Sequence, residues 1–411
     1  MKISSFTLDQ KISNHNFYAF LWHGIFLALA QNFMDVDTIL PAMLIESGGT
    51  AIHVGVMTAI MLGGASVTQL FFAPFISNYN YKRKFLLLGI NSRMMAILGL
   101  VFLLLYSRQL SSQLVLWLIF ALIAIFSVGG AFANVSYTDI FGKSVLPEQR
   151  KTFFSIRQVV IGAGVFISAL FARKVLVSAE YPDNYTRMFL IGFTALSIAS
   201  IGFWRLKEVV PSSLRITGVK HFFSFFKNEL RTSPKLKYFL AYVNTQGIVM
   251  SLMPFLLLYA KQVHDGGVGQ TGLFLIFKVI GTISAGLVIF LMKKRIRYRN
   301  ILNMNPFLAI TPPLLLIIFP DISTLFPFFL VGGIVYSLYS ISMNGVLLEV
   351  SGNENRALYT GIAGAGNILP AVFPLLGGWM IKSLGFTWFF LLFILIVLSS
   401  LYFVNKLNCQ K

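Results

Sequence analysis

Residues 114–138 read LVLWLIFALIAIFSVGGAFANVSYT, an apolar run without a single charged side chain. A helix needs about 20 mostly apolar residues to cross a bilayer core, so this stretch predicts a membrane span. The whole chain has the same character, since 56% of its 411 residues are hydrophobic and 11% are charged. Soluble proteins carry about 25% charged residues. The composition therefore excludes a water-facing globular surface and favours an integral membrane protein.

Similar apolar runs recur along the chain and predict an all-α fold of about twelve transmembrane helices. Glycine and proline interrupt several of these runs, which membrane helices tolerate. The predicted spans are 18–45, 54–77, 85–106, 114–138, 153–175, 187–205, 237–261, 268–292, 299–319, 322–349, 357–381 and 385–405.

The formal net charge of +19 is concentrated in alternate connections between the predicted spans. Basic clusters lie at 82–84, 143–151, 205–237 and 293–299, whereas the other connections hold few lysines or arginines. Positively charged connections stay cytoplasmic. We therefore expect both termini in the cytoplasm and the chain in the cell (inner or plasma) membrane. Topology accounts for the charge, so the lipid bilayer is an expected partner and nucleic acid is not.

Two internal matches indicate that the chain contains two related halves. The basic turn YKRK at 81–84 has a counterpart in MKKR at 292–295, and EQR at 148–150 matches ENR at 354–356. Both matches place the same feature at the same point of each half. We therefore predict an amino-terminal six-helix bundle over 1–205, a cytoplasmic linker over 206–236 and a carboxy-terminal six-helix bundle over 237–411.

The linker has an amphipathic pattern. Its aromatic and basic residues alternate at roughly helical spacing, which predicts a helix lying at the membrane interface. A partly disordered tether is the alternative. The residues of the pattern are Lys220, His221, Phe222, Phe223, Phe225, Phe226, Lys227, Leu230 and Arg231.

Several short motifs resemble those of the major facilitator superfamily, over nearly the whole chain. They are DTILP at 37–41, AP at 73–74 before the basic turn, FFSIRQ at 153–158, and Pro374 with Gly377 and Gly378. The resemblance implies two pseudo-symmetric bundles that transport a small solute. The superfamily usually has an acidic residue and a glycine before the basic turn, where this chain has Ser77 and Asn80. Span five reads IGAGV at 161–165, which weighs against the drug–proton antiporter branch.

Asp35, Asp37 and Lys278 lie inside predicted spans and away from their cytoplasmic ends. An ionisable residue there costs about 2.5–3.5 kcal/mol on insertion scales. Asp35 shares a helical stripe with Gln31, which predicts that it faces an aqueous cavity. Asp37 is then expected to point to the opposite side, because two residues rotate a helix by about 200°. Lys278 lies about 4 Å outward of the centre of its span and Asp35 about 5 Å outward of its own. We hypothesise that the two pair or share a substrate; a structural carboxylate and a neutral or snorkelling lysine are the alternatives.

A second charged group flanks the connection between spans four and five. Asp139 and Arg157 are equally far from its centre near Glu148, which predicts an ion pair that acts as a cytoplasmic gate or as a static brace. Arg93 on span three is a candidate for the same cluster.

Polar residues on other spans are further candidates for substrate contact. The resemblance implies this role because spans one, four, seven and ten line the cavity in the superfamily. A polar residue of this kind more often forms a hydrogen bond between helices, worth about 0.6 kcal/mol, so these candidates rank below Asp35 and Lys278. They are Asn134, Asn244, Gln246, Tyr336, Asn344 and Asn367.

A membrane enzyme and a channel are the competing functional classes. The five histidines show no metal-binding spacing and Cys409 is the single cysteine, so neither a metal site nor a cofactor is expected. Small residues at 361–366 resemble a nucleotide loop but lack the preceding strand. Two related halves with a polar midplane fit alternating access better than a continuous pore.

We therefore predict a monomeric secondary active transporter of a small solute, with Asp35 as the proton carrier. An uncoupled carrier for a sugar-like or small organic solute is the alternative.

Overall fold

The computed structural model describes residues 8–211, 219–263, 267–292, 298–320, 324–351, 364 and 367–407. Helices account for nearly all of these ranges, and no β-strand occurs in them. The helices are α1 (Gln10–Gln31), α2 (Ile39–Glu46), α3 (Ala51–Ser77), α4 (Arg83–Tyr106), α5 (Ser112–Ser144), α6 (Pro147–Leu176), α7 (Asp183–Arg205), α8 (Val219–Thr232), α9 (Pro234–Gly247), α10 (Leu252–Val263), α11 (Val268–Leu291), α12 (Tyr298–Ile318), α13 (Phe326–Ser351), α14 (Ile368–Leu384) and α15 (Phe386–Leu407).

Ten helical segments of the described chain are long and apolar enough to cross a membrane. Two further apolar stretches, Ala51–Gly64 within α3 and Ile368–Leu384, are shorter. Each apolar run predicted as a span overlaps one of these twelve segments. The fold class is therefore confirmed, while the exact count of twelve passes stays a prediction.

The linker contains one described helix. Helix α8 covers Val219–Thr232 and so contains the whole amphipathic pattern at 220–231. The side chains at 219–223 and 225 lie outside the described residues, as does most of the run at 352–366. The position of α8 at a membrane interface stays a prediction.

The first and seventh predicted spans are not continuous α-helices, contrary to the sequence-based expectation. After α1, residues Asn32–Met34 form a 3-10 turn and Asp35 is extended, with ψ 126°. In the second half, residues Ile248–Ser251 form a 3-10 segment between α9 and α10. Both interruptions are followed by a proline, Pro41 and Pro254, at the third position of the next helix. Proline has no backbone N–H to continue a helix but is tolerated in its first turn, where that N–H has no partner.

Two sets of polar contacts mark the two ends of the helix bundle. At one end, Asn16 near the start of α1 donates to the carbonyl oxygens of Ser144 and Lys207, at the ends of α5 and α7. We call this the α8 end, because α8 follows α7. Glu46 and Lys261 form an ion pair at the other end, which we call the opposite end.

The two halves approach each other through glycines toward the opposite end. A Cβ atom at Gly55 of α3 would overlap the carbonyl oxygen of Pro374 on α14, and one at Gly378 would overlap Ala51. Gly272 of α11 lies equally close to Arg173 of α6. In membranes, small residues let helices pack backbone to backbone, which replaces the hydrophobic driving force available in water.

Candidate functional site

The structure places Lys278 between two aspartates of the other half. Its Nζ atom lies 2.6 Å from Oδ2 of Asp35 and 2.6 Å from Oδ2 of Asp37. All three residues are buried, with 6–8% of their surface exposed. We call these three residues the charge triad. The pairing of Asp35 with Lys278 that the sequence suggested is present, and Asp37 joins it.

Asp35 also builds the turn that leads into α2. Its Oδ1 atom accepts hydrogen bonds from the backbone N–H groups of Asp37 (3.1 Å) and Thr38 (2.9 Å), and from the Thr38 hydroxyl (2.8 Å). Its carbonyl oxygen accepts from the N–H groups of Ile39 and Leu40. Aspartate favours such turns because its short side chain satisfies the N–H groups that a helix start leaves unpaired. One carboxylate therefore shapes the chain and pairs with Lys278.

The expectation that Asp37 points away from Asp35 was wrong. It assumed 100° of rotation per residue, which holds only within a continuous helix. Because the chain is extended at Asp35, Asp37 turns back toward Lys278. Pro41 was the local signal of this break.

Close contact between α11 and α13 positions Lys278. A Cβ atom at Gly333 of α13 would overlap the carbonyl oxygen of Lys278, and one at Gly281 would overlap that of Leu330. Tyr336, one turn further along α13, lies close enough to interact electrostatically with all three members of the charge triad. Tyr336 is therefore the one secondary polar candidate that the described structure brings to the triad.

A second charged cluster lies at the α8 end, but without Arg157. Asp139 pairs with Lys82 at 2.7 Å and with Lys143 at 3.0 Å. The sequence-based pairing with Arg157 was wrong because the turn between α5 and α6 lies at residues 145–146, not near Glu148. Arg157 is consequently about 7 Å deeper than Asp139, at 1.5 Å per residue.

Glu208 completes this cluster and was missed in the sequence. It forms an ion pair with Lys143 at 2.7 Å and accepts hydrogen bonds from the backbone N–H groups of Lys82 and Arg83. Its carboxylate thus caps α4 and supplies the negative charge that Ser77 and Asn80 do not. Glu208 follows α7 and reaches the start of α4 only in the folded chain, so no local pattern marks it.

The remaining candidates are spread over the structure. Arg93 lies over the ring of Phe126, 4.2 Å from its centre, and does not join the ion pairs of Asp139. Asn244 accepts from the N–H groups of Ile368 and Leu369 and so caps α14, while Gln246 accepts from the Ser400 hydroxyl. Both side chains make contacts between helices. Gln31 and Asn134 are exposed, Asn367 precedes α14, and the side chain of Asn344 lies outside the described residues.

The sequence profile of the Major Facilitator Superfamily matches residues 21–366. The chain belongs to this superfamily. Among solved structures, this superfamily member is similar to a mutant of the nucleoside transporter NupG, with a TM-score of 0.67 at 11% identity, covering 96% of this chain and 100% of that one. It is also similar to a POT family transporter in complex with a thioalcohol-conjugated peptide, with a TM-score of 0.69 at 12% identity, covering 95% and 96%. No curated protein matches the chain.

A third similar structure is a bacterial homolog of the human lysosomal transporter Spinster, in an inward-facing and unoccupied conformation. Its TM-score is 0.61 at 11% identity, covering 98% of each chain. At these identities the likeness shows the fold alone. Membership of the superfamily makes the chain a multi-pass membrane transporter of small solutes.

Proposed function

We propose that this major facilitator is a proton-coupled secondary active transporter that works by alternating access. The observation that carries the proposal is a single lysine shared by two buried carboxylates across the two halves. With all three groups ionised, the charge triad has a net charge of −1. One proton makes it neutral, and a neutral group moves through a low-dielectric environment at much lower cost than a charged one.

Asp37, rather than Asp35, is the better candidate for the proton carrier. Four donors point at the carboxylate of Asp35: two backbone N–H groups, one hydroxyl and the Lys278 ammonium. Hydrogen bonds to an ionised carboxylate stabilise that form. The described ion pair of Asp37 is with Lys278 alone. The first proton taken up therefore goes to Asp37, which revises the sequence-based choice of Asp35.

Alternating access requires the halves, 1–205 and 237–411, to separate at one end at a time. Their described contacts lie at the charge triad and toward the opposite end, where the Glu46–Lys261 ion pair joins α2 to α10. Each of these helices follows a proline-marked break. We propose that α2 and α10 close this end, which faces away from the cytoplasm if both termini are cytoplasmic.

A cross-link between positions 46 and 261 is expected to trap the closed end and to abolish transport. The experiment uses Glu46→Cys with Lys261→Cys in a Cys409→Ser background, since Cys409 is the single cysteine of the chain. Proteoliposomes are treated with a short, reducible bis-methanethiosulfonate reagent, and solute uptake is measured before and after reduction. The two single-cysteine variants are matched controls, and the reagent should not change the uptake that each of them shows. Full uptake by cross-linked protein would contradict the alternating-access assignment.

Proton coupling is tested by uphill uptake into proteoliposomes, with the solute that most raises the melting temperature of the purified protein. If one proton accompanies one solute without net charge movement, a pH gradient drives about tenfold accumulation per pH unit, since 1.4 kcal/mol is a factor of ten. A protonophore should abolish this accumulation. Uptake that only equilibrates, with and without the gradient, would instead assign the alternative function of an uncoupled facilitative carrier.

A further inference from the structure

Two arginines of the first half lie inside the bundle at equal depth. Arg93 is ten residues beyond Arg83, where α4 begins, and Arg157 is ten residues beyond Pro147, where α6 begins. At 1.5 Å per residue, both lie about 15 Å from the helix starts at the α8 end. Both guanidinium groups also act electrostatically on the same side chain, that of His23 on α1. They therefore belong to one region of the interior.

Among the described residues, no carboxylate forms an ion pair with Arg93. Its guanidinium lies over the Phe126 ring, and its Nε atom is buried with no hydrogen-bond partner. Gly129 and Gly130 make room for it on α5, since a Cβ atom at Gly130 would lie 3.9 Å from the guanidinium carbon. The side chain passes α5 at the point where that helix has no side chains to block it.

Arg157, on α6, extends toward α1 and α5. Its Nε atom lies 3.8 Å from where a Cβ atom of Gly24 on α1 would be, and its charge acts on Tyr137 of α5. Both arginines keep part of their surface accessible, as a residue that contacts a solute must.

No carboxylate in the described part of the chain forms an ion pair with either arginine. Asp35 and Asp37 pair with Lys278, and Asp139 pairs with Lys82 and Lys143. Ionisable residues within a membrane bundle ordinarily pair with an opposite charge or mark a substrate path. For Arg93 and Arg157 the described part of the chain supplies no such partner, which fits contact with a charged ligand.

We propose that Arg93 and Arg157 form the binding site of a small anionic substrate that carries a carboxylate or phosphate group. Guanidinium groups suit both, because their planar forks donate paired hydrogen bonds to two oxygen atoms. This inference names the substrate class of the proposed transporter and rests on that function.

The charges of the interior explain why an anion and a proton travel together. The two arginines contribute +2 and the ionised charge triad contributes −1, so these five residues together have a net charge of +1. Protonation of the triad raises this to +2 and strengthens the attraction for an anion. By thermodynamic reciprocity, the bound anion strengthens proton binding to the same degree.

The experiment is a binding assay on the purified full-length protein, without any gradient. Melting temperatures are measured at constant pH and ionic strength with acetate, succinate, inorganic phosphate and glycerol phosphate, and with choline and glucose for comparison. At least one anion is expected to raise the melting temperature, and the carboxylate and phosphate arms identify its chemistry. Arg157→Gln and Arg93→Gln should each weaken its binding by at least about tenfold, the loss typical of a charge-assisted hydrogen bond.

Arg187→Gln is the matched control, because Arg187 is exposed on α7 and should leave anion binding unchanged. The wild-type panel is decisive even if an interior arginine variant fails to fold. Stabilisation by choline or glucose instead of an anion, or by no anion at all, overturns the proposal, as does unchanged anion binding by both folded glutamine variants. Because binding is measured without a gradient, loss of proton coupling alone would leave this result intact.

Discussion

Lys278→Gln is expected to abolish transport and to lower the free energy of unfolding by about 3–5 kcal/mol, the usual cost of removing one partner of a buried ion pair. The lysine is the shared partner of Asp35 and Asp37, each 2.6 Å away. Without it, two buried carboxylates face each other with no cation between them. Thermal melting of the purified protein and uptake into proteoliposomes measure the two effects.

Two further variants separate the charge effect from a packing effect. Lys406→Gln removes an exposed lysine near the end of α15 and should leave melting and uptake unchanged. Lys278→Gln combined with Asp37→Asn restores the net charge of −1 and should regain much of the lost stability, without recovering transport. If Lys278→Gln melts at the same temperature as Lys406→Gln, the charge triad contributes nothing to stability and its assignment as the central site fails.

Asp37→Asn is expected to uncouple transport from the proton gradient while leaving exchange intact. Asparagine imitates the protonated aspartate, so the charge triad stays neutral and no proton is taken up or released during the cycle. Uphill accumulation should fall to equilibration. Counterflow, in which labelled solute exchanges for unlabelled solute, should remain near the wild-type rate. Both are measured in the same proteoliposomes, with and without a pH gradient.

Asp183→Asn is the matched control for this charge change. Asp183 is exposed at the start of α7, 3.5 Å from Arg108. Its replacement should preserve gradient-driven accumulation. Accumulation by Asp37→Asn at the wild-type level would rule out Asp37 as the proton carrier and return the role to Asp35.

The membrane fold and the Asp35–Lys278 pair could be predicted from the sequence because the lipid environment determines both. A helix that crosses lipid needs a long apolar run, so the spans can be recognised from the amino-acid composition of each segment. A carboxylate and an ammonium at similar depth in lipid attract each other strongly, so the sequence alone identifies Asp35 and Lys278 as a pair. The span ends differed from the predicted bounds by several residues, because helices such as α5 and α6 continue beyond the apolar core into polar sequence.

The rest of the site depended on features that have no local periodic signal. The position of Asp37 depends on the extended backbone of Asp35. Helical spacing, applied across that residue, predicts the wrong direction for the Asp37 side chain. The partners of Asp139 depend on the turn at 145–146, which is only two residues long because α6 starts with Pro147. Glu208 reaches Lys143 and the start of α4 from a distant part of the chain.

The double role of Asp35 has a mechanical consequence. The carboxylate that faces Lys278 with one oxygen holds the first turn before α2 with the other, and α2 ends at Glu46, which bonds to Lys261. A change of charge at the charge triad can thus move the opposite end, because helix α2 (Ile39–Glu46, eight residues) connects the two places and moves as a rigid body. No chain of side-chain contacts is then needed between the proton-binding carboxylates and the Glu46–Lys261 ion pair. Lengthening α2 or making it more flexible should slow the transport cycle without changing which solute binds.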